Sequence, residues 1–225
     1  MTDTAHQAAN YSLLAGSYSF WEYLLLGRQM QRCRQMNVSE FATASKVLLL
    51  GDGNGRFSTH LLTQFPEIQI TSIDASGSML RQAKKRREKA EINEDRIHSI
   101  QQNILECAIN HESYDVVVAQ FFFDSFEQTQ LEHIADKISK GLKANGKLIV
   151  SEFHIPTDTR IGNVRARITL GLLYTIFWLL TGLKTRRLAD YQTVLANSGF
   201  NMVKSVFLSQ KTLVSQVFRK TNPID

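Results

Sequence analysis

The chain contains few of the residues that cross-link or interrupt a fold. Only two of its 225 residues are cysteine and only three are proline. Cys33 and Cys107 lie far apart, with neither a CxxC pair nor histidines at ligand spacing. We therefore expect no disulfide framework and no metal site. The first ten residues lack the basic start and apolar core of a signal peptide, which favours a cytoplasmic protein.

The excess of positive over negative charge is also small. The net charge of +5 and the charged fraction of 21% are ordinary for a globular domain. The densest basic run, residues 81–89, falls in a predicted amphipathic helix and contains no aromatic residue. Proteins that bind single-stranded nucleic acid usually combine basic residues with aromatic ones. We interpret the run as a solvated helix face and expect no nucleic-acid partner.

Short aliphatic runs alternate with helical patterns through the middle of the chain. The predicted strands are 46–50, 69–73, 96–101, 114–120 and 147–153, and the predicted helices between them are 56–65, 76–90 and 128–142. Successive β-α units of this kind predict a parallel sheet with helices on both faces. The sequence therefore predicts an α/β fold with a Rossmann-like sheet.

Further elements flank this core. Helical spacing of apolar residues over 11–36 predicts one or two helices before the first strand. After the fifth strand, the sequence predicts helices over 161–183 and 188–197, then strands over 202–208 and 213–218 joined by a polar turn. A closing antiparallel hairpin argues against a plain dinucleotide-binding domain, which continues with parallel units.

The strongest local motif is a glycine-rich loop after the first strand, in VLLLGDGNGRF (47–57). Gly51, Gly53 and Gly55 let the chain turn sharply and let a ligand approach the backbone at the start of a helix. A dinucleotide fingerprint, GxGxxG, would need glycine or alanine where Arg56 stands. The spacing therefore disfavours an NAD(P) cofactor. A tight turn without a ligand is the alternative interpretation.

Asp74 ends the second strand, in ITSIDASGSML (70–80). A carboxylate at this strand tip can accept hydrogen bonds from both hydroxyls of a ribose. Asp74 and Ser76 also precede a helix, so an N-cap is the alternative. The position of Asp74 beside the glycine loop favours a nucleoside ligand.

The GxGxG loop and the stretch I-D-x-S-x-x-M-L resemble two motifs of the class I S-adenosylmethionine-dependent methyltransferases. Residues 46–153 look like the core of this family, and 188–219 look like its terminal helix and hairpin. The most similar group is the small-molecule methyltransferases of ubiquinone and menaquinone biosynthesis. The resemblance implies a seven-stranded sheet of order 3-2-1-4-5-7-6, mostly parallel with an antiparallel last strand, and helices on both faces.

The resemblance also implies a single domain over 1–225 with four parts. These are a helical lid (1–45), a cofactor-binding core (46–155), a helical cover over the acceptor site (156–187) and a terminal helix with a hairpin (188–220). One position departs from the family pattern. Leu49 stands where the first motif usually has an acid that helps to hold the methionine ammonium group, and Asp52 inside the loop is the candidate replacement.

By the same resemblance, the implied cofactor is S-adenosylmethionine. The residues expected to bind it are Gly51, Asp52, Gly53, Gly55, Asp74, Ala75, Met79, Asn103, Ile104, Gln120, Phe121, Tyr11 and Tyr18. Asn103 is expected to meet the adenine amino group, with capping of a loop as the alternative. Gln120 and Phe121 are expected to line the methionine and adenosine moieties. Tyr11 and Tyr18 are expected in the helical lid, with ordinary packing as the alternative.

The implied reaction is an in-line displacement, in which a nucleophilic atom of a small acceptor takes the sulfonium methyl group and positioning supplies most of the acceleration. His154, after the fifth strand, is the candidate general base, with a structural histidine as the alternative. Asp124 either faces the substrate or caps the next helix. The competing functions are an NAD(P)-linked oxidoreductase or epimerase, and a degenerate methyltransferase fold that only binds ligands.

Residues 168–183 carry no charge, but they are fewer than the roughly 20 residues that span a bilayer. Arg165, Arg167 and Lys184 flank this stretch, and Tyr174 and Trp178 lie within it. It is expected to be a helix that packs over the sheet or lies at a membrane interface. An apolar cover over the pocket favours a hydrophobic small-molecule acceptor. Weak peripheral association with the inner face of an anionic membrane is the second expectation.

Overall fold

The computed structural model describes residues 28–154, 190–209 and 211–221. The helices in these ranges are α1 (Arg28–Gln35), α2 (Arg56–Gln64), α3 (Gly77–Lys89), α4 (Gln128–Gly141) and α5 (Tyr191–Asn197). The strands are β1 (Lys46–Leu50), β2 (Gln69–Asp74), β3 (Ile97–Gln101), β4 (Tyr114–Gln120), β5 (Leu142–Phe153), β6 (Phe200–Leu208) and β7 (Leu213–Lys220). The predicted roles of Tyr11 and Tyr18, the helical cover at 156–187 and the helix at 161–183 lie outside the described residues.

The strands form one seven-stranded sheet of order β3-β2-β1-β4-β5-β7-β6. Strands β1 to β5 pair in parallel, and β7 pairs antiparallel with both β5 and β6. The sheet order predicted from the family resemblance is confirmed. The order reverses between β1 and β4, so a crevice is expected beyond the carboxyl ends of these two strands.

Strand β1 forms the centre of the core because both of its faces are buried. Leu48 and Leu50 pack in a cluster with α4 and α5, whereas Val47 and Leu49 pack in a second cluster with α2 and Phe41. A central strand covered on both faces should be continuously apolar, as KVLLL is. Rigid packing of this kind fixes the position of the loop that leaves β1 at Gly51.

The predicted element boundaries agree with the structure except near β5. This strand was expected to begin at 147 after a turn at 144–146, but it begins at Leu142, which pairs with Tyr114 before a register shift. Asn145 keeps a left-handed conformation (φ 61°) inside the irregular strand. The turn signal was thus real, but pairing with β4 extends the strand past it.

The basic side chains of residues 81–89 are exposed, as expected for a solvated helix face, with one exception. Arg87 is only 2% exposed. Its Nε and Nη2 atoms donate to the two carboxylate oxygens of Glu94 at 2.8 and 3.0 Å. This bidentate pair joins α3 to the turn that leads into β3.

Among the helices of the described ranges, none has the length and apolar character needed to cross a bilayer.

Candidate functional site

The three glycines of the loop after β1 all adopt positive φ angles, but their surroundings differ. A Cβ atom at Gly51 would lie 2.5 Å from the Phe122 ring, and one at Gly55 would lie 2.6 Å from the Cβ atom of Ala83. A Cβ atom at Gly53 would have no described atom within 4 Å. Gly51 and Gly55 therefore permit close packing, whereas Gly53 borders open space.

Asp74 lies directly beside this open position. Its Oδ2 accepts the Gly53 N–H at 2.9 Å, and its Oδ1 accepts the Ser76 N–H at 2.8 Å. The N-cap of α3 is Ser76, whose hydroxyl accepts the Met79 N–H. Burial raises the pKa of Asp74 to about 6, and these hydrogen bonds oppose the shift. Each oxygen keeps acceptor capacity, so the geometry suits a ligand hydroxyl.

Two other residues predicted at this strand end differ in exposure. Ala75 is exposed, whereas the side chain of Met79 is 7% exposed. Ala75 is therefore accessible to a ligand over the tip of β2. Met79 packs at the first turn of α3, behind the loop.

Asp52 brings a buried carboxylate to the loop, whereas Leu49 on β1 is apolar. Leu49 is 2% exposed in an apolar cluster. The Asp52 carboxylate is buried, its Oδ1 accepts the Ser58 N–H at 3.2 Å, and its Oδ2 has no hydrogen-bond partner among the described residues. Burial raises the pKa of Asp52, and the charge of Arg34 opposes the shift. The acid of this site thus lies in the loop instead of on β1.

A cavity lies at the reversal of strand order, between β1 and β4. Its lining residues are Arg34, Leu49, Leu50, Gly51, Asp52, Phe57, Val118 and Gln120. The sequence did not single out Arg34. Its backbone carbonyl accepts a hydrogen bond from Gln120 at 2.9 Å, and its guanidinium carbon lies 5.2 Å from the centroid of the Phe121 ring. A cation and a buried acid therefore share the wall of this cavity.

The loop after β4 closes one side of the crevice. Phe121 has a φ of 52°, unusual for an aromatic residue, and its N–H donates to Ser151 at 2.7 Å. The rings of Phe121 and Phe153 lie 5.1 Å apart, and those of Phe122 and Phe126 lie 5.0 Å apart. This wall is therefore aromatic and held in a strained conformation, which is common at functional sites.

The loop after β3 contains Asn103, and the structure supports the capping role. The side-chain Oδ1 of Asn103 accepts the Leu105 N–H at 3.0 Å, and its backbone oxygen accepts from Glu106 and Cys107. The side chain of Ile104 is buried in the core. A contact of Ile104 with a cofactor would thus have to come from its main chain. Contact of Asn103 with adenine stays a prediction.

Lys137 on α4 fixes this loop. Its Nζ donates to the backbone oxygens of Ile104, Leu105 and Cys107 at 2.9, 2.7 and 3.0 Å. We expect Lys137→Met to lower the free energy of unfolding by about 2 kcal/mol, because it removes charge-assisted hydrogen bonds from buried carbonyls. Denaturant unfolding measures this. Lys140→Met is the control, because Lys140 forms an exposed pair with Asp136. Equal stability of the two variants would contradict the prediction.

The two predicted catalytic residues lie in different surroundings. The His154 ring packs 4.9 Å from the ring of Phe207 on β6, and the backbone N–H of His154 donates to the carbonyl oxygen of Thr212. This places His154 beside the terminal hairpin, and its role as a base stays a prediction. Asp124 lies in the 3₁₀ turn Phe123–Ser125. The next helix, α4, begins after Glu127, so the alternative that Asp124 caps it is wrong.

A buried acid near Asp124 was missed. Glu152 is 1% exposed at the end of β5, and it accepts hydrogen bonds from the loop that contains Asp124. The signal was available in the sequence, because KLIVSEF places a glutamate on an inward-facing position of an otherwise apolar strand.

Comparison with known proteins agrees with this architecture. The family model described as "Methyltransferase domain" matches residues 47–146, from β1 to the first half of β5. This part of the chain is therefore similar to methyltransferase domains. The resemblance found in the sequence is therefore confirmed.

Individual relatives of the chain are distant. The malonyl-[acyl-carrier protein] O-methyltransferase of Priestia megaterium is 31% identical over 123 residues, which are 55% of this chain and 42% of that protein. The chain spans between 35% and 57% of the curated relatives that it matches.

Solved structures share the fold. An O-methyltransferase family protein from Burkholderia thailandensis has a TM-score of 0.67 at 14% identity, covering 99% of this chain and 61% of that one. The N-methyltransferase NodS from Bradyrhizobium japonicum, solved with S-adenosylhomocysteine, has a TM-score of 0.58 at 17% identity, covering 86% of this chain and 84% of that one.

Proposed function

We propose that this chain binds S-adenosylmethionine across the carboxyl ends of β1, β2 and β4 and transfers its methyl group to a small acceptor. One observation carries the proposal. The Gly53 N–H is held by the Asp74 carboxylate at 2.9 Å, and the space where a Gly53 side chain would lie contains no described atom. An acid beside an open glycine backbone is the arrangement that a nucleoside needs.

The chain's own residues fit the rest of this cofactor. Asp74 would accept hydrogen bonds from the ribose hydroxyls, with Ala75 and Gln120 along the crevice. The unpartnered Oδ2 of Asp52 and the guanidinium of Arg34 border one cavity. An acid and a cation side by side complement an α-amino acid group, whose ammonium would face Asp52 and whose carboxylate would face Arg34.

The proposed reaction needs positioning more than acid–base chemistry. When bound, S-adenosylmethionine supplies an electrophilic methyl group on a positively charged sulfur. The rigid loop at 51–55 and the aromatic wall at Phe121 and Phe122 would hold both reactants in line and exclude water. A base is required only when the acceptor atom must lose a proton.

The aromatic wall favours a hydrophobic acceptor. Phe121, Phe122, Phe126 and Phe153 surround the end of β4, and apolar walls with few polar groups select apolar ligands. A second candidate acceptor is an acyl group on a carrier protein, because relatives of this chain are malonyl-[acyl-carrier protein] O-methyltransferases. Weak association of residues 168–183 with anionic membranes remains a proposal from the sequence, and vesicle co-sedimentation tests it.

Substitution of Asp74 tests the ribose site. We expect Asp74→Ala to weaken S-adenosylmethionine binding by about 1.5–3 kcal/mol, or about 10- to 150-fold, because the hydroxyls lose a charged acceptor. An ionised carboxylate accepts better than a neutral one. The wild-type affinity should therefore fall as the pH drops below about 6, the raised pKa of Asp74. Isothermal titration calorimetry at several pH values measures both effects.

Asp115→Ala is the matched control for this test. The Asp115 carboxylate accepts the Ser45 and Lys46 N–H groups at 2.9 and 2.8 Å, but it lies near the amino end of β4, at the opposite edge of the sheet. It should lower stability without weakening cofactor binding. A dissociation constant for Asp74→Ala within about twofold of the wild type would refute the placement.

A further inference from the structure

Glu152 is a buried carboxylate, and only one of its two oxygens has a hydrogen-bond partner among the described residues. Its Oε1 accepts the N–H groups of Phe122 and Phe123, both at 3.0 Å. Its Oε2 is also buried, and no hydrogen-bond partner for it exists among the described residues. One acceptor oxygen is enough to hold the two N–H groups, so a neutral glutamine would serve the loop equally well. The second oxygen of Glu152, and the presence of an acid instead of an amide at this position, are therefore unexplained by folding.

Asp124 directly follows Phe123, whose N–H Glu152 binds, so the same loop brings a second carboxyl group to this region. Burial raises the pKa of Asp124 to about 6. Burial and the charge of Asp124 together raise the pKa of Glu152. Two carboxyl groups in one buried place do not both ionise near neutrality, so the pair holds one proton and one negative charge.

The charge of Glu152 also affects the pKa values of groups on two helices. Burial, and to a smaller extent the charge of Glu152, raises the pKa of Tyr191 on α5 well above its usual value, and the same two causes raise the pKa of Cys33 on α1 to about 12. Tyr191 donates its hydroxyl hydrogen bond to Gln216 at 2.8 Å, and Cys33 donates to Val214 at 3.4 Å. Neither group neutralises the pair, and each already has its own acceptor.

The carboxyl pair belongs to the wall of the proposed cofactor crevice. The loop that Glu152 anchors carries Phe122, whose ring covers Gly51. The same loop carries Asp124 and the strained Phe121. Retaining an unpartnered charge in the wall of a crevice destabilises the fold unless a ligand completes its hydrogen bonding.

We infer that Asp124 and Glu152 form the acceptor subsite, and that they bind a hydroxyl or amine group of an apolar acceptor and take its proton during methyl transfer. This inference rests on the proposed function. It assigns the acceptor class, because a negatively charged pair attracts an O–H or N–H donor and repels a carboxylate. It therefore argues against a carboxylate as the group that is methylated.

A lone pair on the acceptor oxygen or nitrogen forms a bond to the methyl carbon, and the electrons of the carbon–sulfur bond move to the sulfur, which becomes neutral. The O–H or N–H proton passes to the unprotonated oxygen of the carboxyl pair, which becomes fully protonated. After the product leaves, the pair releases this proton to solvent.

The affinities of three matched probes for the full chain, saturated with S-adenosylhomocysteine, test the acceptor class. The probes are p-cresol, p-toluidine and p-toluate, which share a methylphenyl ring and differ in the polar group. We expect p-cresol and p-toluidine to bind at least about tenfold more tightly than p-toluate. We also expect the affinity for p-cresol to fall as the pH drops through about 6.

The double substitution of Glu152→Gln with Asp124→Asn keeps an oxygen for the Phe122 and Phe123 N–H groups and removes both carboxyl groups, and with them the charge. It should abolish both the preference and its pH dependence, while the affinity for S-adenosylhomocysteine stays within about twofold of the wild type. Asp124→Asn alone leaves the loop anchors in place and should reduce the preference too, which keeps the test decisive if the double variant does not fold.

Equal or tighter binding of p-toluate, absence of p-cresol binding, or an unchanged preference in the folded variants would overturn this inference. Failure of the wild-type chain to bind S-adenosylhomocysteine would instead overturn the proposed function.

Discussion

Gly53→Val is expected to abolish binding of S-adenosylmethionine while the chain remains folded. Gly53 has a φ of 61°, and no described atom lies within 4 Å of the position of its missing Cβ. The Cβ atom of a branched side chain there meets no atom of the described residues, but the side chain fills the space beside Asp74 where the ribose is proposed to lie. We expect the affinity to fall at least about a hundredfold. Isothermal titration calorimetry measures this, and a thermal melt checks the fold.

Substitutions at two other glycines distinguish the effect of backbone strain from the effect of filling the proposed ligand space. Gly199→Val introduces the same left-handed strain at φ 80°, with only the Thr221 hydroxyl at 3.4 Å, far from the crevice. It should lower the melting temperature as Gly53→Val does, because a β-branched residue in this region costs about 1–3 kcal/mol, but it should not weaken binding. Gly55→Val should unfold the chain, because its Cβ atom would lie 2.7 Å from the Cα atom of Ala83. Cofactor binding by Gly53→Val at wild-type affinity would contradict the proposed position of the cofactor.

Leu49→Asp is expected to destabilise the fold strongly, although it restores the acid that the family usually has at this position. Leu49 is 2% exposed and packs with Phe41, Phe57 and Val118. A carboxylate there would be desolvated without a partner in this apolar cluster. The cost should exceed about 3 kcal/mol, which lowers Tm by about 6–12 °C. Thermal melts with and without S-adenosylmethionine measure the loss and any recovery.

Leu49→Met is the control for this substitution. It keeps the volume and apolar character of the side chain, so its cost should stay below about 1.5 kcal/mol. A Leu49→Asp variant that melts near the wild-type temperature and binds the cofactor more tightly would show that this strand end is open to the ligand. Asp52 would then not be the substitute acid.

The sequence was sufficient to predict the features that local pattern controls. Continuous apolar strands, the glycine spacing and the acid at the end of β2 are encoded in short windows, and they predicted a parallel sheet and the juxtaposition of Gly53 and Asp74. Family resemblance added the antiparallel position of β7, because strand order depends on contacts that no short window contains.

The features that were missed depend on contacts between residues far apart in the chain. Arg34 reaches the site because Gln120, 86 positions away, donates to its carbonyl. Lys137 holds carbonyls 30 to 33 positions away. The direction of the His154 ring is determined by Phe207 on the hairpin. Position at a strand tip therefore predicted that His154 lies at the correct edge of the sheet, but not which way it faces.

The central claim is that the loop at 51–55 and Asp74 bind an S-adenosyl cofactor and not a dinucleotide. Parallel calorimetric titrations of the full chain with S-adenosylhomocysteine and NADPH test it most directly. We expect saturable binding of S-adenosylhomocysteine that Asp74→Ala weakens and Gly53→Val abolishes, with no heat of binding from NADPH. Saturable binding of NADPH without binding of S-adenosylhomocysteine would contradict the claim.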